Sequence, residues 1–159
     1  MANELITLVL LTLAPFLELR ASIPYGILVG GMHWFFVMVV AIFVNIILGA
    51  FLYVFIDKFI HILEKVPVFH RFWEKTVEKT QRKIEPYVEK YGEWGLALFI
   101  GIPLPGSGVY SGAIAAYLLG MDYKKFMMAV VAGVMIAGTI VTLVVYTGNG
   151  ALGIFLKGI

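Results

Sequence analysis

The chain reads as an all-α integral membrane protein. The predicted plan is two inverted repeats, each a re-entrant helical hairpin plus a transmembrane helix, joined by an amphipathic cytoplasmic linker. Three observations predict this. Hydrophobic residues make up 61% of the 159 residues and charged ones 14%, with a mean hydropathy of +0.95; a soluble domain carries about 25% charged residues. The charges are segregated, with eight of the 12 basic and seven of the 10 acidic residues lying between Asp57 and Glu93. Finally, two long apolar segments are unbroken, whereas two others are interrupted by proline, glycine and charge.

A single membrane domain, 1–159, divides into six parts in order. The first hairpin, 1–31, contains the apolar stretch Leu5 to Leu17, too short to cross because a span needs about 20 residues. Behind it come Glu18 and Arg20, flanked by Pro15 and Pro24. Glu4 is the first charge, no basic region precedes the apolar run and no Ala-x-Ala site follows, so the start reads as mature protein and not as a secretion signal. Within 32–57, His33 to Ile56 is long enough to span, at about 1.5 Å per residue across a core about 30 Å thick. The linker is 58–93. In the second hairpin, 94–120, an apolar segment is cut by Pro103-Leu104-Pro105-Gly106-Ser107-Gly108. The second span lies in 121–148, with Phe126 to Tyr146 as its apolar stretch, and 149–159 is a tail.

Orientation follows from Lys and Arg, which resist translocation. The linker carries Lys58, Lys65, Arg71, Lys75, Lys79, Arg82, Lys83 and Lys90, and Lys124 and Lys125 follow the second break. Both regions are expected to be cytoplasmic, which makes 94–120 re-entrant and puts Gly30-Gly31 outside. The first hairpin then enters from outside, and the halves have opposite orientations, a common transporter plan. Internal similarity adds a little: Gly31-Met32 aligns with Gly120-Met121, Trp34 with Tyr123, and Gly49 with Gly138. On that register Glu18 falls opposite Ser107 and Arg20 opposite Val109.

Small residues recur at every fourth position in Gly108, Gly112, Ala116 and Gly120, and in Ala129, Gly133 and Ala137. Such stripes let helix backbones approach where lipid supplies no hydrophobic drive. Ala41, Asn45 and Gly49 form a comparable stripe. Asn45 reads either as an amide hydrogen-bonding between helices, the preferred reading, or as part of a substrate pathway. In the linker, Phe69, Trp73 and Val77, then Ile84, Val88 and Tyr91, sit at helical spacings between Pro67 and Pro86 or just beyond. A helix lying on the membrane surface accounts for them, and a partner-binding role is the alternative.

The chemistry turns on Glu18 and Arg20. Charge in hydrocarbon is costly and survives only where protein or a water-filled cavity surrounds it. In a regular helix, residues two apart point about 200° apart, and Pro24 disfavours helical geometry at Ile23. An unwound stretch is therefore expected here, aiming both side chains inward. Low dielectric opposes the charged form of Glu18 and a nearby Arg20 favours it, a balance suited to a proton carrier. The planar fork of Arg20 suits phosphate or carboxylate. A buried ion pair that merely locks the hairpin is the bland alternative. At the second break, Gly106 and Gly108 free backbone amides, Ser107 offers a hydroxyl, and a restarting helix can bind an anion at its N-terminus; a simple hairpin tip explains the same residues. Ser22, Tyr25 and Tyr110 can supply hydroxyls near the breaks.

The composition excludes several function classes. With no cysteine there are no disulfides or thiolate metal sites, and His33, His61 and His70 suit neither a metal site nor a catalytic dyad. Ser107 has no histidine partner and no His-Glu-x-x-His motif exists, so no enzyme, metal or cofactor is expected. A net charge of +2 is too small to argue for nucleic acid.

Glu18-Leu19-Arg20-Ala21-Ser22-Ile23-Pro24, followed by Pro103-Leu104-Pro105-Gly106-Ser107-Gly108, resembles the small multidrug export protein family of prokaryotic membrane proteins. The stretch from Pro105-Gly106 to Gly120-Met121-Asp122-Tyr123-Lys124-Lys125-Phe126 is also similar to the DedA (SNARE-associated Golgi protein) superfamily. The DedA resemblance implies transport of lipid carriers such as undecaprenyl phosphate and dependence on the proton-motive force. The acidic residue of that superfamily's first hairpin corresponds to Glu18. Its arginine just after Pro-Gly is missing here, where Ser107, Gly108 and Val109 stand.

The resulting expectation is a small, proton-coupled secondary transporter in a prokaryotic plasma membrane. It would move an amphipathic anion such as a lipid (polyprenyl) phosphate. Glu18 is the proton-coupling residue, and Arg20, Ser22, Pro24, Tyr25, Asn45, Pro103, Pro105, Gly106, Ser107, Gly108 and Tyr110 form the substrate site. Two alternatives stand beside it: a proton-coupled exporter of hydrophobic cations, with Glu18 as counter-charge, and a non-transporting membrane scaffold whose linker recruits a partner. Expected partners are membrane lipid, the substrate, protons and a second copy of the chain in a homodimer.

Overall fold

The computed structural model describes residues 2–15, 17–63, 92–103 and 107–157. Among these every regular element is helical: α1 (Ala2–Leu13), α2 (Glu18–Pro24), a π-helical turn (Tyr25–Val29), α3 (Trp34–Leu63), α4 (Glu93–Gly101), α5 (Val109–Leu118) and α6 (Tyr123–Lys157). The two breaks foreseen in the sequence separate α1 from α2 and α4 from α5. The amphipathic positions Phe69, Trp73, Val77, Ile84, Val88 and Tyr91 lie outside the described residues, as do Pro105 and Gly106.

Two helices are long and apolar enough to cross a membrane, over Trp34–Ile56 (23 residues) and Tyr123–Gly148 (26 residues). At about 1.5 Å per residue each exceeds a hydrocarbon core about 30 Å thick. Both helices overrun their expected ends, because α3 continues to Leu63 and α6 to Lys157. No proline or left-handed residue stops them where the apolar stretch ends; a change in polarity alone does not terminate a helix.

Helices α3 and α6 run antiparallel in a fixed register. Trp34 meets Tyr146 with ring centroids 5.9 Å apart, and at the other end Tyr53 stacks on Phe126 at 5.2 Å. Between them Ile42 fills the space beside Gly138, and Val130 the space beside Gly49. The buried stripe Ala41, Leu48 and Leu52 thus faces Phe126, Val130, Val134 and Ala137. The opposite side of α3 exposes Phe43, Ile47 and Phe51, an apolar face far larger than isolated surface hydrophobics would give.

The second half packs most closely where backbone meets backbone. A Cβ added to Gly133 would lie 2.7 Å from the Ala97 carbonyl oxygen, so α4 and α6 touch at a distance that only glycine permits. Helix α5 ends in a Schellman motif: Met121 N–H donates to the Ala116 carbonyl (2.8 Å) and Gly120 N–H to that of Tyr117 (3.0 Å). Gly120 supplies the left-handed φ of 60° that this cap requires.

The first break departs from expectation. No unwound stretch surrounds Glu18 and Arg20; both belong to α2, and Ile23 stays helical despite the following proline. The chain turns earlier, at Ala14, Pro15 and Leu17. Pro24 is absorbed by the π-helical turn immediately after it, in which Gly30 N–H reaches the Tyr25 carbonyl at 2.8 Å. Proline removes one helical donor and crowds the preceding turn, and the wider π spacing relieves that crowding without breaking the rod.

Candidate functional site

The turn between α1 and α2 delivers Glu18 to the start of α2 in a left-handed conformation, φ 47°. It is the one described non-glycine residue with positive φ, and such a backbone costs about 1–3 kcal/mol. The conformation turns the side chain off the regular helical direction. This answers the problem of two charges pointing to opposite faces, since Glu18 and Arg20 can now both reach the second break.

Glu18 is 5% exposed. Its carboxylate accepts from the backbone N–H groups of Val109 (3.2 Å) and Tyr110 (3.4 Å), one to each oxygen. These are unpaired donors of the first turn of α5, where the helix dipole also favours negative charge. A carboxylate from residue 18 therefore occupies the anion seat at the head of a helix some 90 residues later. Gly108 makes the approach possible: its φ is 136°, and a Cβ there would fall 2.5 Å from Glu18 Oε2.

Arg20 crosses to the same break. Its Nη2 donates to the Ser107 carbonyl and, at 2.9 Å, to Ser107 Oγ. The Ser107 hydroxyl in turn donates to the Ile102 carbonyl at 2.6 Å, closing the break across its own mouth. Glu18 and Arg20 also feel each other's charge. A third strut comes from Tyr110, whose hydroxyl donates to the Leu13 carbonyl (2.6 Å) at the open end of α1. Leu13, Leu17 and Ile102 are exposed around this junction, so its rim is apolar and its centre charged.

Of the site residues expected from sequence, Glu18, Arg20, Ser107, Gly108 and Tyr110 come together here. Pro103 borders the break and is half-buried. Pro24 and Tyr25 lie further along, at the junction of α2 with the π-helical turn. Ser22 and Asn45 are fully buried, and neither side chain has a hydrogen-bond partner among the described residues. The interhelical hydrogen bond preferred for Asn45 is therefore not formed. Sequence reasoning missed Val109 and Leu13, which act through backbone atoms and carry no signal in residue type.

A largely buried charged junction, beside two helices long and apolar enough to span a bilayer, marks a membrane protein with a polar centre. A family model described as "Putative small multi-drug export protein" matches residues 18–140, beginning at Glu18 itself, just past the first break, and taking in the second. The chain belongs to that family. No curated protein and no solved structure matches the chain.

Proposed function

We propose that the protein is a proton-coupled secondary transporter that takes up a proton and an amphipathic anion together at the Glu18–Arg20–α5 junction. The observation that carries this reading is the Glu18 carboxylate seated on the Val109 and Tyr110 N–H groups. With Glu18 ionised, the seat is filled and the junction's formal charge, Glu18 against Arg20, is zero. A proton on Glu18 removes the occupant and leaves Arg20 and two free amides, a site of net positive charge shaped for a phosphate or carboxylate. Proton and anion thus favour each other, which is the condition for coupled movement. Lipid phosphate suits the exposed rim of Leu13, Leu17 and Ile102, where a hydrocarbon tail can stay in the bilayer while its head enters.

Several features support the inverted plan with re-entrant hairpins. None of α1, α4 and α5 is by itself long enough to cross, and the two breaks meet each other. The matched pairs of the internal alignment also behave alike: Gly31 and Gly120 both adopt left-handed φ, 59° and 60°. Gly49 and Gly138 each admit a side chain of the opposite spanning helix. We place the basic linker in the cytoplasm of a prokaryotic cell and favour a homodimer, which would cover part of the exposed α3 face.

The second reading is exchange of a hydrophobic cation against protons, favoured by the family's description as an export protein. Proteoliposomes loaded with a pH dye separate the two. External geranyl phosphate should acidify the lumen in the native protein and leave it unchanged in Glu18→Gln. Acidification on efflux of a lipophilic cation, with no response to geranyl phosphate, would overturn the anion reading. A chain that moves neither and retains its cellular role in Glu18→Gln would be a scaffold.

A further inference from the structure

Four threonines in these apolar helices satisfy their hydroxyls on their own helix. Thr7, Thr12, Thr139 and Thr147 donate to the carbonyl four residues back, at 2.7–2.9 Å. Ser22 on α2 and Thr142 on α6 have the same option and do not take it. Both hydroxyls are buried with no partner among the described residues, as are both amide atoms of Asn45 on α3. Ser22 and Asn45 are 0% exposed and Thr142 3%. Buried polar groups are nearly always paired, with ordered water where protein supplies nothing.

These three residues fall along one seam. Glu18 lies beside Val109, which abuts Gly49 of α3. Further along, Gly26 abuts Val37, so α2 and the π-helical turn run down α3 from the level of Gly49 to that of Val37. Ser22 is midway, and Asn45 lies between Gly49 and Ile42 on the same stretch of α3. Ile42 faces Gly138, and Thr142 is one turn beyond Gly138 toward Val37. Beyond Val37, toward the start of α3, Gly30, Gly31 and His33 line a cavity of about 560 Å³ together with the apolar Ala2, Leu5 and Phe36.

We infer that Ser22, Asn45 and Thr142 hold a file of water that carries protons between the Gly30–His33 cavity and Glu18. The inference rests on the proton-coupled reading above and adds the route. Hydroxyl and amide groups both donate and accept, so each can pass a hydrogen-bonded chain onward. The ionisable neighbours at the inner end are Arg20 of α2 and Tyr110 of α5, and at the outer end His33. The cavity is on the side that the charge distribution puts outside, where a proton driven inward would enter.

The test uses full-length protein in proteoliposomes with geranyl phosphate as the probe and a luminal pH dye. Asn45→Leu and Thr142→Val keep volume and remove hydrogen bonding. Each should slow luminal acidification at least tenfold while equilibrium binding of geranyl phosphate, measured at low pH, changes less than twofold. Asn45→Ser should recover acidification to within threefold of native. Undiminished acidification in both Asn45→Leu and Thr142→Val would overturn the inference. So would equal losses of rate and binding that Asn45→Ser fails to rescue, which would mark a packing role. Uptake that follows a sodium gradient instead of pH would also overturn it, the same oxygens then serving a cation. Glu18→Gln keeps the two levels apart: full acidification in that variant defeats the transport reading itself, whatever the seam variants do.

Discussion

Replacing Gly108 with alanine attacks the junction at its tightest point. The backbone there, φ 136° and ψ −170°, is a conformation that only glycine adopts freely, and alanine pays about 1–3 kcal/mol to hold it. The added Cβ would also sit 2.5 and 2.8 Å from the two Glu18 carboxylate oxygens and 2.9 Å from Cδ, so the carboxylate must move. That breaks its hydrogen bonds to Val109 and Tyr110. Charged hydrogen bonds contribute about 1.5–3 kcal/mol each, and the lower end applies because these are 3.2 and 3.4 Å long. The expected total is about 4–6 kcal/mol. Gly31→Ala is the control, since Gly31 also has positive φ (59°) but nothing lies within 4 Å of its Cβ position; it should cost only about 1–2 kcal/mol. Reversible unfolding in mixed detergent micelles gives both values. In a Glu18→Ala background the two glycine substitutions should become similar, exposing a coupling of about 2–3 kcal/mol between positions 18 and 108. Equal costs for Gly108→Ala and Gly31→Ala in the native background would refute the contact.

Three further outcomes are expected. Gly133→Ala should destabilise more than Gly26→Ala, because the first meets the Ala97 backbone at 2.7 Å and the second meets only side-chain methyls of Val37 and Leu8 at 2.8–3.0 Å; overpacking against side chains costs about 1–3 kcal/mol. The same unfolding measurement ranks them. Ser107→Ala removes a hydroxyl that accepts from Arg20 and donates to Ile102, and should cost about 1–3 kcal/mol while leaving the Ser107 carbonyl bond to Arg20 in place. Single cysteines at Leu28 and Leu118 should react with impermeant thiol reagents from opposite sides of the membrane, a clean assay because the chain has no cysteine of its own. Labelling from one side would reject the inverted plan.

The apolar helices and the breaks are legible because they depend on local pattern: a long apolar run makes Trp34–Ile56 a helix long and apolar enough to span, and the Pro103 to Gly108 segment interrupts the next one. That Glu18, Arg20 and the Pro-Gly break should share one environment was readable from the cost of charge in lipid. What the carboxylate does there was not. The sequence suggested that the α5 amides await a substrate, whereas the approach of two segments fills them with Glu18, and that approach is tertiary. Pro24 misled for a related reason. Its usual effect on the preceding residue was outweighed by a π-helical turn that a residue-by-residue reading does not foresee. Asn45 carried an expectation of interhelical pairing that no described residue meets.

The bond between residue 18 and the head of α5 also bears on how the protein is made. While the ribosome is still building the linker, the carboxylate of the first segment has been synthesised but Val109 and Tyr110 have not. The nascent N-terminal half holds an acidic group with no helix to receive it, and it can settle at depth only once the later segment has been inserted. The two halves are thereby made interdependent: a polypeptide terminated in the linker would lack the two amides that receive its own carboxylate.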